Sequence, residues 1–143
     1  MAKKINKILL PLDGSANSKR AMDQAIDVAQ KFDARINLVY VLPFPAVQAY
    51  VPNKAAREQM YKEAKRHLAS AKKQIDNKGV DSKSDIIKGN PGSAIAAYAN
   101  KSTNKIDLIV IGSRGLGGLK EKFLGSVSNH VMHSTKVPCL IVK

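Results

Sequence analysis

Five glycines, Gly112, Gly115, Gly117, Gly118 and Gly125, follow the apolar run Ile109 to Ile111, and Ser126 stands where a short helix can begin. Glycines let a backbone approach a ligand closely and turn its N–H groups inward. A helix N-terminus adds partial positive charge. A strand that runs through glycines into a helix start is therefore suited to a phosphate group. The spacing excludes the two commonest phosphate motifs. No Gly-Lys-Ser/Thr follows the loop, and no GxGxxG follows the first strand.

Other residues with chemical potential are few. Asp13, after the first apolar run, suits either a hydroxyl pair as acceptor or an N-terminal helix cap. His130 and His133 are three apart on the last helix, a spacing that two metal ligands can share, but no Cys or third His lies nearby in sequence. One exposed and one packed histidine is the plainer reading. His67 lies in a basic helix and is expected to face solvent. The single cysteine, Cys139, sits inside an apolar run and reads as a small hydrophobe rather than a reactive thiol. It excludes an intramolecular disulfide and fits a reducing compartment. No Ser-His-Asp order or Cys-His pair points to a nucleophilic enzyme.

The elements that must position these residues alternate. Lys4 to Leu12 reads as a strand, apolar at Ile8, Leu9, Leu10 and Leu12. Ala16 to Phe32 follows a helical stripe through Ala21, Ala25, Val28 and Phe32. Ala34 to Leu42 is a second strand, and the prolines 43, 45 and 52 mark a loop. Met60, Ala64, Leu68, Ala71 and Ile75 then form one clean helical face, stopped by Asn77-Lys78-Gly79. Lys83 to Lys88 is a weaker strand near a sheet edge. A turn over residues 89–93 leads to a helix from Ala94 to Ser102. Ile106 to Ile111 is the most apolar strand and is expected to be central. A helix from Val127 to Ser134 and a last strand from Val137 to Val142 complete the chain.

This βαβαβαβαβ order predicts one α/β domain spanning 1–143, with a parallel sheet, right-handed crossovers and helices on both faces. The last strand is apolar yet ends the chain. An exposed edge of Val137, Leu140, Ile141 and Val142 would invite aggregation. Pairing with the same strand of a second copy predicts a homodimer through Val137 to Val142; a covering helix or loop is the alternative.

The full spacing is Gly112, two residues, Gly115, nine residues, then Gly125-Ser126. In a small α/β domain this resembles the universal stress protein family, whose ATP-binding subgroup carries Gly, two residues, Gly, nine residues, Gly and then Ser or Thr. The opening ILLPLDGS is similar to the family's first strand and Asp-containing loop, YVLP to the end of its second strand, and VPCLIV to its closing strand. The resemblance implies an open five-stranded parallel sheet ordered 3-2-1-4-5 and a dimer through the last strands. It also implies that Asp13 and Val41 hold ribose and adenine, while the glycines and Ser126 surround the phosphates. The expected nucleotide site comprises Pro11, Leu12, Asp13, Val41, Gly112, Ser113, Arg114, Gly115, Gly125, Ser126, Val127 and Ser128. The ligand is ATP or a related adenine nucleotide, with or without Mg2+. Lys120 and Lys122 could add charge beside the phosphates or simply be solvated.

Asp13 follows strand one and Gly112 follows strand four, so both loops flank the crevice where strand order reverses. With Asp13 the one acidic residue placed there, and claimed by ribose, the expectation is an occupancy-dependent stress-response switch with slow or no hydrolysis. Slow turnover or phosphorylation at Ser126 stays open, as does an interaction module whose loop holds no nucleotide.

The chain carries 24 basic against 11 acidic residues, a net charge of +13. That balance raises nucleic acid or an anionic membrane as a partner, with a basic nucleic-acid-binding protein as the alternative function, and the second helix concentrates it. Yet no aromatic residues interleave its lysines as a single-strand platform needs. A solvated face, with long-range steering of an anionic ligand, is the simpler reading. Neither a signal peptide nor a membrane span is apparent, so a soluble cytoplasmic protein is expected.

Overall fold

The computed structural model describes residues 4–44, 53–114 and 124–143. Its strands are β1 (Lys7–Leu12), β2 (Arg35–Leu42), β3 (Ser82–Lys88), β4 (Leu108–Gly112) and β5 (Cys139–Val142). Its α-helices are α1 (Ala16–Phe32), α2 (Lys54–Asn77), α3 (Pro91–Asn100) and α4 (Ser126–Ser134), with a 3-10 turn at Ser102–Asn104. The strands form one sheet in the order β3-β2-β1-β4-β5, every pairing parallel.

Alternation along each strand sends side chains to two separate cores. Ile8, Leu10 and Leu12 pack with Ile36 and Leu38 against α1 and α2, through Ala21, Ala25, Leu68, Ala71 and Ile75. Leu9, Val39, Ile109 and Ile111 pack against α3 and α4, through Ile95, Ala99 and Val131. Leu9, Leu10 and Leu38 are fully buried, so truncating any one to alanine costs about 2–5 kcal/mol.

Element boundaries differ from expectation where a cap decides them. Helix α3 begins at Pro91, not Ala94, because the Asn90 carboxamide accepts from Ser93 N and proline is preorganised for a first turn. Strand β5 starts at Cys139 rather than Val137. The apolar strand β4 is interior, but the middle of the sheet is β1, flanked by β2 and β4. β3 and β5 form the two edges. Among the described residues no helix is long and apolar enough to cross a membrane.

The β1–β4 ladder is short. Only Ile8 pairs with Leu108 and Leu9 with Ile109. Beyond Leu9 the two strands part, and Pro11 lies where β4 no longer pairs with β1. A residue without an N–H fits there, although proline is otherwise rare in a middle strand. This divergence opens a cleft at the carboxyl ends of the strands.

Candidate functional site

The cleft measures about 550 Å³. Its floor is the ends of β1 and β4, with Pro11, Leu12, Ile111 and Gly112. Tyr40, Val41, Leu42 and Pro43 continue it from β2. The α4 end supplies Gly125, Ser126, Val127 and Ser128, with Arg114 beside them. Most of this lining is apolar, which suits a flat aromatic ligand, with polar groups at the margins.

Two strand-to-helix connections meet at the cleft. After β1, Gly14 takes φ +82, a left-handed conformation natural to glycine. Asp13 Oδ1 accepts from Ser15 N at 2.9 Å. Ser15, not Asp13, is the α1 cap: its Oγ accepts from Ser18 N at 3.1 Å. Asp13 therefore shapes the turn that precedes the cap, and it is one of the residues lining the cleft.

After β4, the reasons for the residues differ from those read in the sequence. A Cβ on Gly112 would lie 3.0 Å from the Asn17 carbonyl carbon and oxygen. Glycine there lets β4 end tightly against the first turn of α1. Ser113 is buried and faces α1 rather than the cleft, with Asn17 Nδ2 donating to its Oγ at 3.3 Å. Ser113 N donates to Val142 O at 2.7 Å, and Ser113 O accepts from Gly125 N at 2.6 Å. Ser128 Oγ donates to that same carbonyl at 2.8 Å and to Gly125 O at 3.2 Å. Ser113 and Ser128 thus close the base of the connection, and neither hydroxyl is needed by a ligand to explain its presence. Gly115, Gly117, Gly118, Lys120 and Lys122 lie outside the described residues.

Helix α4 starts directly at the cleft. Its N-cap is Gly125, and no side chain caps it. The caps of α1, α2 and α3 are Ser15, Asn53 and Asn90, each accepting from a first-turn N–H. Of the four α-helices among the described residues, α4 alone has no side-chain hydrogen bond at its N-cap, and its first turn lines the cleft.

Helix α2 supplies a wall that was not foreseen. Met60 and Glu63 line the cleft. One turn on, His67 stacks on Tyr40 with ring centroids 5.8 Å apart and planes within 8°. The expectation that His67 faces solvent is thus corrected: its ring sits between Tyr40 and the Gly14 turn, and a Cβ on Gly14 would lie 2.9 Å from His67 Cε1. Burial pushes the Tyr40 phenol above its ordinary range, and the negative charges of Asp13 and Glu63 add to this, opposed by Arg66. Met60, Glu63 and His67 lie beside the buried stripe of α2, at i, i+3 and i+7. That pattern was the available signal.

The histidine pair on α4 resolves differently. His130 and His133 are both exposed. His130 rests on Gly92 and sits 3.4 Å from Ser93 Oγ, while His133 Nδ1 lies 2.8 Å from Asn129 O. Among the described residues no three His, Cys, Asp or Glu side chains could share a metal. Cys139 is half-buried, and burial raises its thiol pKa.

A profile described as "Universal stress protein family" matches residues 4–143. The chain belongs to the universal stress protein family. It is 35% identical over 140 residues to a universal stress protein of Methanocaldococcus jannaschii, covering 96% of this chain and 81% of that one. It is 34% identical to the universal stress protein YxiE of Bacillus subtilis, covering 96% and 99%. Among solved structures, the hypothetical protein MJ0577 superposes with a TM-score of 0.85 at 27% identity, covering 99% of this chain and 97% of that one. A universal stress protein in complex with cAMP gives a TM-score of 0.72 at 27% identity, covering 99% and 98%. The sheet order 3-2-1-4-5 implied by the resemblance is the order observed.

Proposed function

We propose that this universal stress protein binds an adenine nucleotide in the cleft between β1 and β4, with ATP as the ligand, and acts as a stress-response switch through occupancy. The observation that carries the reading is the α4 N-terminus, without a side-chain cap, at the end of an apolar-walled cleft. First-turn N–H groups and the helix dipole favour an anion there. Arg114 stands on the same side of the connection, and Ser126 offers a hydroxyl at the first helical position. The base then lies along Val41, Leu42, Met60 and Ile95, and Asp13 accepts from the ribose hydroxyls. Binding of cAMP by a relative of the same fold supports an adenine nucleotide as the ligand class.

Binding is easier to support than turnover. The carboxylates among the described lining residues are Asp13 and Glu63. Phosphoryl transfer to water needs a positioned water and charge stabilisation at the phosphates, and Asp13 is engaged in its turn and with ribose. Mg2+ that accompanies ATP is then held chiefly by the phosphates. The edge strand β5 and the residues leading into it, Val137 to Val142, with Leu140 open to solvent, are assigned to a second copy of the chain. Light scattering of the purified protein tests that assignment, and a monomer at all concentrations removes it.

Calorimetric titration with ATP tests the nucleotide reading, in wild type and in Ser126→Asp. An acidic residue suits a helix first turn, so the variant keeps α4 intact. It also places a negative charge where the phosphates lie, and binding should weaken at least about tenfold. No binding by wild type, or equal binding by both, removes the assignment.

A further inference from the structure

We propose that His67 is a positioning residue for the ribose end of the cleft: wedged between Tyr40 and the Gly14 turn, it holds the Asp13 carboxyl in register with a nucleotide. The ribose part of this proposal rests on the reading of the cleft given above. The wedge itself rests on geometry.

Three observations converge on the ring. It is parallel to Tyr40, within 8°, at 5.8 Å. It lies close enough to Gly14 that a methyl group there would meet Cε1 at 2.9 Å and Nε2 at 3.0 Å. Gly14 is held at φ +82 between Asp13 and Ser15, whose own contact, Ser15 N to Asp13 Oδ1, defines the turn. His67 is anchored from behind, since Ala64, Leu68 and Ala71 bury the neighbouring face of α2 in the sheet. A rigid helix thus presses one flat side chain onto a turn made of glycine and polar residues. Such a turn has little packing of its own, because Gly14 contributes no side chain. Without the ring, the Asp13 turn loses this aromatic contact and Tyr40 gains freedom to swing across the cleft. Both effects fall on the cleft's α2 end rather than on the phosphate end at α4.

Spatially, this makes α2 a lever on nucleotide selectivity. The Asp13 carboxyl can only reward a ribose hydroxyl pair when it is held still, since a loose acceptor spends the gained hydrogen bond on ordering itself. His67 therefore acts on the preference for ATP over 2′-deoxy-ATP more than on affinity for the triphosphate.

The test uses His67→Ala and His67→Phe, the second retaining a flat ring against Tyr40. In the nucleotide-free protein, amide hydrogen exchange at Ser15 is compared with Leu9 and Leu10 in β1. His67→Ala should speed Ser15 about tenfold relative to those core amides, and His67→Phe should leave the ratio near wild type. With ligand, the ATP to 2′-deoxy-ATP affinity ratio should fall by about tenfold in His67→Ala, the size of one charge-assisted hydrogen bond. It should fall no further in His67→Ala combined with Asp13→Ala, because both act through one contact. An unchanged Ser15 ratio in His67→Ala overturns the proposal. So does an unchanged nucleotide ratio in a protein that binds ATP. A wild type that binds neither nucleotide, with Ser15 still released by His67→Ala, ends the nucleotide reading and leaves the wedge standing.

Discussion

The two connections that meet at the cleft, Asp13–Ser15 after β1 and 113–125 after β4, have opposite economies of hydrogen bonding in their described residues. After β1, the residues Asp13, Gly14 and Ser15 satisfy one another: Asp13 accepts from Ser15 N, Ser15 caps Ser18 N, and Ser18 Oγ donates to Ser15 O. After β4, the two buried serines bond within the connection itself. Ser113 and Ser128 tie the connection to β5 and to itself, and Gly125 leaves the α4 start without a side-chain cap. A strand end and a helix start are thus brought to the cleft twice, but of the two helix starts only that of α4 lacks a side-chain cap. On the proposed reading, the residue at the cap position is what separates the phosphate end of the cleft from an ordinary βα connection.

Breaking the closed turn should have the largest effect. Gly14→Ala forces a side chain into a left-handed conformation and into the His67 ring. The expected loss is about 2–4 kcal/mol of unfolding free energy, the sum of backbone strain and overpacking. Urea denaturation reads it. In the His67→Ala background the steric part should vanish and the backbone part remain, so the two changes are not additive.

Next in size is the tie beneath the open turn. Ser128→Ala removes the donor to Ser113 O, which keeps Gly125 N as its other partner. A stability loss of about 1–2 kcal/mol is expected, and ATP affinity should weaken with it as the α4 start drifts from β4. An affinity unchanged while stability falls would mean that the Ser113–Ser128 contact serves the fold alone. Removing the α1 cap with Ser15→Ala should cost about 1 kcal/mol of stability. Because that helix end has no ligand to hold, phosphate-dependent affinity should hardly move.

How much of this could be read from residues alone follows the same division. Helix α1 was legible from its Ser15 cap and from Ala21 and Ala25 on its apolar stripe, and it runs from Ala16 to Phe32, although Phe32, read as part of that stripe, is exposed. The alternation of elements implied a parallel sheet, but the strand order came from the family resemblance; periodicity does not say which strand lies beside which. Pro11, Leu12, Asp13, Val41, Gly112, Arg114, Gly125, Ser126, Val127 and Ser128 do converge on one cleft. Ser113 adjoins it but faces α1, since successive residues at the end of β4 face opposite sides of a sheet covered on both, and a serine carries no mark of which side it takes. The α2 wall went unread because Glu63 and His67 are polar residues beside an apolar stripe, where solvent is the default expectation. His67 is packed only because Gly14, distant in sequence, has no side chain.

The smallest predicted effect is the one that converts the open turn into the closed kind. Gly125 has φ -70 and ψ 165, an extended conformation open to any residue, so Gly125→Ser introduces no backbone strain. Its hydroxyl can accept from a first-turn N–H of α4, as Ser15 does for α1. Serine over glycine at a cap is worth only a few tenths of a kcal/mol, and thermal unfolding without nucleotide should rise by about a degree or two. The same hydroxyl now competes with a phosphate for that N–H. ATP affinity should therefore fall by about two- to threefold while the protein becomes more stable. Opposite signs from one added hydroxyl would separate a helix start held open for an anion from one that merely lacks a cap. If both quantities rise together, or if stability rises and ATP affinity stays fixed, the α4 N-terminus is not where the phosphates bind.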